Sequence, residues 1–482
     1  MIRRGTDSNR IDGLNFDKKN TIRIFAFGCA FGCAFALVWA VPGTVAAQSS
    51  NPFQGSVPTG VSTGQTLNLT LDEAITRGLR NNLGVILSSQ QTAASRGARL
   101  SQLQSLLPSV DFKAQETVAQ VDLPAQGLRM AGFPTVIGPF GYTDLRASVN
   151  WSLVDVASLR NYLAARHNFR AAELTAQDAH DLVVLTVGNA YLLAISDEAR
   201  ITSIMAQVAT AKVSLEQAEA NHKAGTAPLL DELRARVDYQ TLEQQEIVAR
   251  NAFEKDKLAL ARTIGLPLDQ GFALADKAPY AAFDQIDVEA AVQQAKANRK
   301  DLASFVEQMA AAREQRKAAT AARLPTVNFA GDYGDIGTTL AHSHGTGNAA
   351  GTLSVPVFKE YGLRGQAEQA QAKLDSAQDK LSDAQAQVDA DVRDALLDIA
   401  SAQKQVEVAR SSVALAHEAL SEAQQRYANG VSDNLAVSQA QQSVAQADEQ
   451  YVASLYRHNV AKLTLARALG AGTQYKTYLG GK

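Results

Sequence analysis

The sequence predicts a mixed α and β protein built from two copies of one unit, with very long helices and two short β-hairpins. Three observations support this fold class. Two stretches of the chain match each other in order and spacing, apolar residues recur every three or four positions over long distances, and short alternating segments interrupt this helical period. Only 6% of the 482 residues are aromatic, which favours long Ala-rich helices over the core of a conventional enzyme.

The charge of the chain argues against one class of partner. Its formal net charge is −3, from 46 basic and 49 acidic side chains, and no basic block follows residue 23. Proteins that bind nucleic acids carry a basic patch or stripe. We therefore expect no nucleic-acid partner.

The N-terminal segment predicts an exported protein. Residues 24–41 are uncharged and apolar, follow three basic residues, and lead to two alanines before a glutamine. This pattern is typical of a secretory signal, so we predict a signal peptide at residues 1–47. Two alternatives stay open. The apolar run is at the lower limit for a retained membrane anchor, and each of the two cysteines of the chain, Cys29 and Cys33, is a candidate for lipidation.

Two halves of the remaining chain share landmarks in the same order. Each half has Glu-Ala near its start, an Asn inside its first helical pattern, Leu-Pro at the end of that pattern, and two glycines at later helix ends. The Asn and Gly landmarks are Asn82, Gly225 and Gly265 in the first half, and Asn298, Gly430 and Gly470 in the second. The same number of residues separates the glycines of each pair, so we predict an internal duplication. The expected segments are a linker at 48–66, repeat 1 at 67–270, a linker at 271–286, repeat 2 at 287–470 and a tail at 471–482.

Each predicted repeat contains one β-hairpin. Apolar and polar residues alternate in two segments of each repeat, which predicts strands at about 109–121 and 143–154, and at about 326–334 and 349–358. A two-stranded hairpin is only marginally stable in water, so the chain must combine its strands with those of other copies. No stretch after the signal segment is long and apolar enough to predict a membrane helix, so any membrane contact is expected through these strands.

The longest helical pattern follows each hairpin. Throughout residues 359–428 apolar residues recur with a mean step close to 3.5, which is typical of a coiled coil, and alanine at many of these positions indicates closely packed helices. Such a helix is about 105 Å long at 1.5 Å per residue. The counterpart in the first repeat is at about 157–224. Each long helix is expected to end at a glycine and to be followed by an antiparallel helix, with turns at about 224–230 and 429–434.

This ordered set of features resembles the TolC-like outer-membrane efflux proteins. The features are a signal peptide, a Glu-Ala helix ending in Leu-Pro, an amphipathic hairpin, a strand end of the form Leu-Ser-x-Pro-x-Phe at residues 353–358, a long helix, a Gly turn and a returning helix, with the order repeated in the second half. The resemblance implies a trimeric 12-stranded outer-membrane β-barrel with four strands per chain, continued by an α-helical coiled-coil tunnel in the periplasm. The implied partners are the other chains of a homotrimer, outer-membrane lipid, a periplasmic adaptor protein and an inner-membrane pump or exporter.

The function implied by this resemblance is that of a passive exit duct across the outer membrane for substrates of the pump. The sequence does not choose between small-molecule efflux and type I protein secretion, because both use the same kind of conduit. A periplasmic structural coiled-coil protein without a pore is a second class of function that stays open. It accounts for the heptads but not for the two hairpins.

The resemblance also places a candidate site at the two helical turns, which in this family form the periplasmic entrance. Carried over by position, the entrance and adaptor-docking residues are Ala224, Gly225, Thr226, Asp231, Tyr427, Gly430, Val431 and Asp433. The candidates for a pore constriction are Asp231 and Gln439. Members with a cation-binding constriction have acidic residues six and nine positions after the second glycine, where this chain has Ala436 and Gln439. Asp231 or Asp433 is an alternative source of entrance charge, unless both are solvated acids at helix starts.

No catalytic, metal or cofactor site is predicted. The sequence contains no Gly-rich phosphate loop, nucleophile elbow or HExxH motif. His342 and His344 lie in a Gly-rich segment without a third ligand nearby, which argues against a metal site. We therefore predict no enzymatic activity, and the missing motifs argue against a periplasmic metal- or substrate-binding enzyme.

Overall fold

The structure of the protein is a computed structural model of a mostly helical chain with one larger and one smaller sheet. It describes residues 51–128, 132–277, 280–284, 286–432 and 434–479. The predicted signal peptide, with Cys29 and Cys33, lies outside these residues.

The two halves of the chain have their elements in the same order. The first half contains β1 (Leu67–Leu69), α1 (Leu71–Asn81), α2 (Leu83–Gln104), β2 (Ser109–Asp122), β3 (Val136–Val154), α3 (Val156–Lys223) and α4 (Leu229–Ile264). The second half contains β4 (Phe272–Leu274), α5 (Val288–Asn298), α6 (Lys300–Ala321), β5 (Thr326–Gly337), β6 (Ser343–Ser354), α7 (Glu360–Ala428), α8 (Asn434–Ala468) and α9 (Tyr475–Leu479).

The first helical segment of each half is broken, which the sequence pattern did not predict. Asn82 separates α1 from α2 in an extended conformation, and its side chain caps α2 by accepting a hydrogen bond from a backbone N–H. Arg299 separates α5 from α6 in the same conformation. Counted from the helix caps Thr70 and Asp287, Asn82 corresponds to Arg299. The predicted pairing of Asn82 with Asn298 is therefore wrong by one residue.

A small parallel sheet joins the start of the first half to the segment between the halves. β1 pairs with β4, Leu67 opposite Phe272. Leu69 and Phe272 are buried in the main core. The predicted linker at 271–286 thus contains a strand, which the sequence pattern missed because only three residues of it pair.

The four longer strands form one antiparallel sheet in the order β2–β3–β5–β6, so the two hairpins lie side by side and β2 and β6 are its edges. Two predicted strand bounds are wrong. The strand expected at 143–154 begins at Val136, and the strand expected at 349–358 lies at Ser343–Ser354. The strands pair further toward the hairpin ends than their Gly-rich sequence indicated. The second hairpin stops before Pro356, which has no N–H to extend the ladder.

The larger sheet has one apolar and one polar face. The register places the following side chains on the apolar face: Val110, Phe112, Val149, Trp151, Phe329, Tyr333 and Leu353. It places these on the polar face: Asp111, Lys113, Asp144, Arg146, Asn150, Asp332 and Thr352. Phe112 is 73% exposed, whereas the side chains of Arg146 and Asp332 are 26% and 28% exposed. Phe112 on the apolar face is thus more open than this charged pair on the polar face.

α3 is the helix against which most of the chain packs, since α1, α2, α4, α6 and α8 all contact it. Its central residues Val183, Val187 and Leu192 are buried in the main core. The single O–H of Tyr191 lies within hydrogen-bond distance of two acceptors, the backbone oxygen of Leu69 (2.8 Å) and the carboxylate of Asp276 (2.9 Å). The core of α3 therefore also holds β1 and the segment after β4.

The apolar character of α3 corrects one expectation from the sequence. Among the residues that the structure describes, α3 alone is long and apolar enough to cross a membrane by length and composition, with a window of mean hydropathy 1.4. The expectation that no stretch after the signal segment meets this criterion is wrong. Because 56% of the window is buried inside the chain, packing in the core accounts for its composition.

The helices form one layer with two levels, one nearer the larger sheet and one nearer the Gly turns. At both levels α3 is second and α7 is last in the order of packing. Toward the sheet, α2 packs against α3, α3 against α6, and α6 against α7; toward the turns, α4 packs against α3, α3 against α8, and α8 against α7. Seven of the nine buried residues of α7 recur in alternating steps of four and three, which is the predicted coiled-coil seam. They are Val388, Val392, Ala395, Ile399, Ala402, Val406 and Ala409.

We expect a large side chain on this seam to destabilise the protein. Ala402 is 5% exposed, so Ala402→Phe should force α7 and its neighbours apart and cost about 1–3 kcal/mol. Lys404 is exposed on the same helix, and Lys404→Phe is the matched control. Thermal unfolding of the purified protein, followed by circular dichroism, measures both variants. Equal midpoints would show that the seam is misassigned.

Two carboxyl groups meet where α3 packs against α4. Burial, together with a hydrogen bond to Asp256 and repulsion from its charge, raises the pKa of Asp197 to about 7. An aspartate in an unfolded chain has a pKa of about 3.9. Between about pH 4 and pH 7 the carboxyl of Asp197 is therefore protonated in the folded protein and ionised in the unfolded chain. The free energy of unfolding falls as the pH rises through this range.

Asp197→Asn should remove this pH dependence, because an amide does not ionise. We expect the unfolding midpoint of the unmodified protein to fall between about pH 4 and pH 7, and the fall to be smaller in Asp197→Asn. Asp269→Asn, at an exposed position after α4, is the control and should follow the unmodified protein. Parallel midpoint curves for all three proteins would contradict the assignment.

Candidate functional site

The two turns that join the long helices to their partners have the same backbone geometry. In the first turn Gly225 has φ = +73°, and the backbone nitrogens of Gly225 and Thr226 donate to the oxygens of His222 and Asn221, both at 2.9 Å. In the second turn Gly430 has φ = +70°, and its backbone nitrogen donates to the oxygen of Tyr427 at 3.0 Å. In each turn the glycine and the residue after it both donate to backbone oxygens of the last helical turn. This arrangement is the Schellman motif, in which a residue in the left-handed conformation ends a helix.

Glycine is needed at both turns for its backbone conformation and not for space. A Cβ atom built on Gly225 or Gly430 has no heavy atom within 4 Å. A β-branched side chain is disfavoured at positive φ, whereas asparagine adopts this region more readily. At both turns the backbone conformation of the glycine therefore restricts which residue can replace it, whereas the space around the glycine does not.

Asp231 lies in the first turn of α4 and is 7% exposed. Its backbone oxygen accepts a hydrogen bond from the side chain of Asn434, the first residue of α8, at 3.3 Å. The interpretation of Asp231 as a solvated acid is therefore wrong, because it is buried where the starts of two helices meet. A negative charge is favourable there, since helix N-termini carry partial positive charge.

Side-chain hydrogen bonds join the α3–α4 pair to the α7–α8 pair near the turns. The amide of Asn221 donates to the hydroxyl of Tyr427 at 3.4 Å, and Ser438 donates to the carboxylate of Asp238 at 2.6 Å. Of these residues only Tyr427 was singled out from the sequence. The others are polar residues inside helical patterns, and the sequence offers no signal that separates them from solvated positions.

The other predicted site residues lie at the surface. Ala224, Thr226 and Val431 are exposed at the turns, and Gln439 is exposed on α8. Asp433 lies outside the described residues. The structure thus brings Tyr427 and Asp231 into contacts between the helix pairs and leaves the remaining described candidates exposed at the turns and on α8.

Exposed apolar side chains surround the turns. Leu229, Leu230 and Val431 are 51%, 53% and 67% exposed, and Leu435 is 40% exposed. A group of large apolar side chains at the end of a molecule is typical of a surface that contacts another protein.

A cavity of about 290 Å³ lies between the four long helices on the side of the turns. Its lining includes Asp238, His417 and Asp448. His417 Nε2 is 3.7 Å from Asp448 Oδ1, and Ser203 donates to Asp448 at 2.9 Å. The two helix pairs are thus less tightly packed here than along the seam of α7.

The described part of the chain contains no group of three or more His, Cys, Asp or Glu side chains arranged to hold a metal ion. His342 interacts through its ring with the hydroxyl of Thr339 at 3.0 Å. This hydrogen bond is sufficient to account for its position in the second hairpin.

Comparison with known proteins defines the family. Residues 87–266 and 291–471 each match the model of the outer membrane efflux protein family. The chain belongs to the outer membrane efflux protein family. The family and the location in the outer membrane that the sequence predicts are thus confirmed, and proteins of this family are channels and not enzymes.

Named relatives and solved structures agree with this membership. Pyoverdine export outer membrane protein OpmQ of Pseudomonas putida is 25% identical over 316 residues, which cover 64% of this chain and 66% of that protein. Probable efflux pump outer membrane protein SepC of Pseudomonas putida is 23% identical over 415 residues, 83% of each. The crystal structure of outer membrane protein VceC of Vibrio cholerae has 20% sequence identity and a TM-score of 0.74, covering 83% of this chain and 96% of that chain. This last likeness concerns the fold.

Substitution of the turn glycines should impair this efflux protein without unfolding it. Gly225→Val and Gly430→Val should each cost about 1–2 kcal/mol at the turn, because valine resists the left-handed conformation. We expect loss of export with a normal amount of protein in the outer-membrane fraction. Gly225→Asn and Gly430→Asn are the matched controls and should retain export. The measurement is the solvent and drug tolerance of a strain that lacks its own copy, and full tolerance with the valine variants would contradict the placement of the site.

Proposed function

We propose that this outer membrane efflux protein acts as a homotrimer and forms the exit duct of a tripartite export system. Three sheets close into one 12-stranded barrel in the outer membrane, and the helices form a tunnel in the periplasm. A periplasmic adaptor and an inner-membrane pump deliver substrates, which the duct conducts passively. The two halves of each chain are copies of one unit, with the predicted boundaries at residues 67–270 and 287–470.

The observation that carries this proposal is the pair of open edges on a sheet with an apolar face. Within the described part of the chain, β2 and β6 each pair with a strand on one side only. In lipid no water is available to satisfy the backbone, so an open edge is not stable there. Closure requires strands from other copies, and pairing of β2 with β6 of the next copy satisfies both edges at once.

The helical layer supports the same assembly. α2 leads directly into edge strand β2, and edge strand β6 leads into α7, so the open edges of the sheet continue into the outer helices of the layer. Toward the turns the outer helices of the layer are α4 and α7, and both carry large apolar side chains with exposures between 60% and 69%. They are Val237, Ile247 and Val248 on α4, and Leu397, Val408 and Leu415 on α7. Contact of α4 with α7 of the next copy would remove them from water.

The substrates that we propose are small molecules. The names of the related proteins refer to export of pyoverdine and to efflux of toluene and solvents. We propose that the two helical turns form the entrance, with Gly225 and Gly430 at its tips, the surrounding leucines as adaptor contacts, and Asp231 or Gln439 at the constriction.

Arginine on the apolar face should disrupt the barrel. Leu353→Arg places a charge in lipid and should cost about 2–4 kcal/mol at mid-bilayer depth, and less near an interface. Thr352→Arg, one residue away on the polar face, is the matched control and should assemble normally. Val149→Arg and Asn150→Arg form a second pair of this kind on β3.

Outer-membrane fractionation and the oligomeric state in mild detergent measure these variants. We expect a trimer in the outer membrane for the unmodified protein and for both controls, and loss of trimer for both apolar-face variants. A monomer in the soluble periplasmic fraction would contradict the proposed duct and would favour a structural coiled-coil protein without a pore.

A further inference from the structure

Five charged side chains lie close together on the polar face of the larger sheet. Lys113 on β2 lies directly opposite Arg146 on β3. Asp144 lies two residues before Arg146 on the same strand, and Asp111 on β2 and Asp332 on β5 lie level with the position two residues after it. We refer to these five residues as the charged belt. We propose that the charged belt helps to set which ions the duct conducts, in addition to the constriction at the helical turns. This inference rests on the proposed barrel, whose interior the polar face would line.

Arg146 is held in place by partners on three strands. Its Nε lies 3.3 Å from Asp144 Oδ1, its Nη1 contacts Asp332 Oδ2, and its Nη2 donates to the hydroxyl of Thr346 on β6 at 3.1 Å. Gly334 occupies the position directly opposite Arg146 on β5 and has no side chain to block this reach. The guanidinium is therefore a fixed cation and not a mobile surface charge.

The position of the belt follows from the two faces of the sheet. In a barrel the apolar face must contact lipid, so the polar face lines the lumen. The side chains of Arg146, Asp144 and Asp332 are 26%, 24% and 28% exposed, so each is packed against the wall and still reaches solvent. A lumen with low-dielectric walls focuses the field of such charges on passing ions.

The belt carries two positive and three negative side chains in each copy. Loss of a positive charge should therefore make the lumen more negative, and loss of a negative charge should make it less negative, with the change repeated three times around the barrel. Arg146→Gln should make the lumen more negative and increase its preference for cations. Asp332→Asn breaks the same ion pair but leaves the lumen more positive, so it should shift the preference toward anions.

This opposition separates an electrostatic role from a structural one. If the pair only stabilises the sheet, the two variants lose the same interaction and should change conduction in the same way. Lys113→Gln provides a further test, because the contacts of Arg146 do not involve Lys113. It should shift selectivity in the direction of Arg146→Gln without breaking the network.

The experiment is the reversal potential of the purified protein in planar lipid bilayers under a gradient of potassium chloride. Arg146→Gln and Lys113→Gln should shift it toward the potassium equilibrium potential, and Asp332→Asn should shift it in the opposite direction. Glu116→Gln is the matched control, because Glu116 lies on the opposite face of β2 and should leave the potential unchanged.

Equal reversal potentials in all variants, or shifts of Arg146→Gln and Asp332→Asn in the same direction, would overturn the proposal while the duct itself still stands. A shift with Glu116→Gln as large as that with Arg146→Gln would also overturn it. Unmodified protein that inserts as a trimer but forms no channel would contradict the proposed function, and this inference with it.

Discussion

The packing around α3 is the interaction on which the rest of the chain depends. This helix continues from the inner strand β3 and passes through both levels of the helical layer, so it links the sheet, the core and the first turn. Its buried apolar residues form the main core, and the hydroxyl of Tyr191 ties β1 and Asp276 to it. The helices on either side of α3 are positioned by their contacts with it.

Buried charges hold the second half against α3. Arg467 Nη2 of α8 lies 2.6 Å from Asp178 Oδ1 of α3, and the guanidinium of Arg299 lies 2.6 Å from both Asp301 and Asp391. Burial raises the pKa of Asp178 to about 6 in spite of the attraction of Arg467. Such pairs specify one arrangement of helices, because each becomes costly if its partner is lost.

Much of the fold was predictable from periodic patterns, and the exceptions have tertiary causes. The long helices and the seam of α7 follow from apolar spacing that one helix carries by itself. The break at Arg299 was not predictable, because the side chain of this residue forms an ion pair with Asp391, which is distant in sequence. The start of β3 at Val136 depends in the same way on pairing with β2. At the turns, Gly225 was recognisable from the sequence, whereas the burial of Asp231 depends on Asn434 of another helix.

The different lengths of the two hairpins have a consequence for the symmetry of the assembly. β2 and β3 contain 14 and 19 residues, whereas β5 and β6 contain 12 each. The two Gly turns at the other end have matching geometry. In the proposed trimer the periplasmic end would therefore approximate sixfold symmetry, with six similar tips, while the outer rim would have three tall and three short hairpins. A molecule that approaches from outside the cell would meet a notched rim with three equivalent positions. An adaptor would meet a ring with six similar, though not identical, positions.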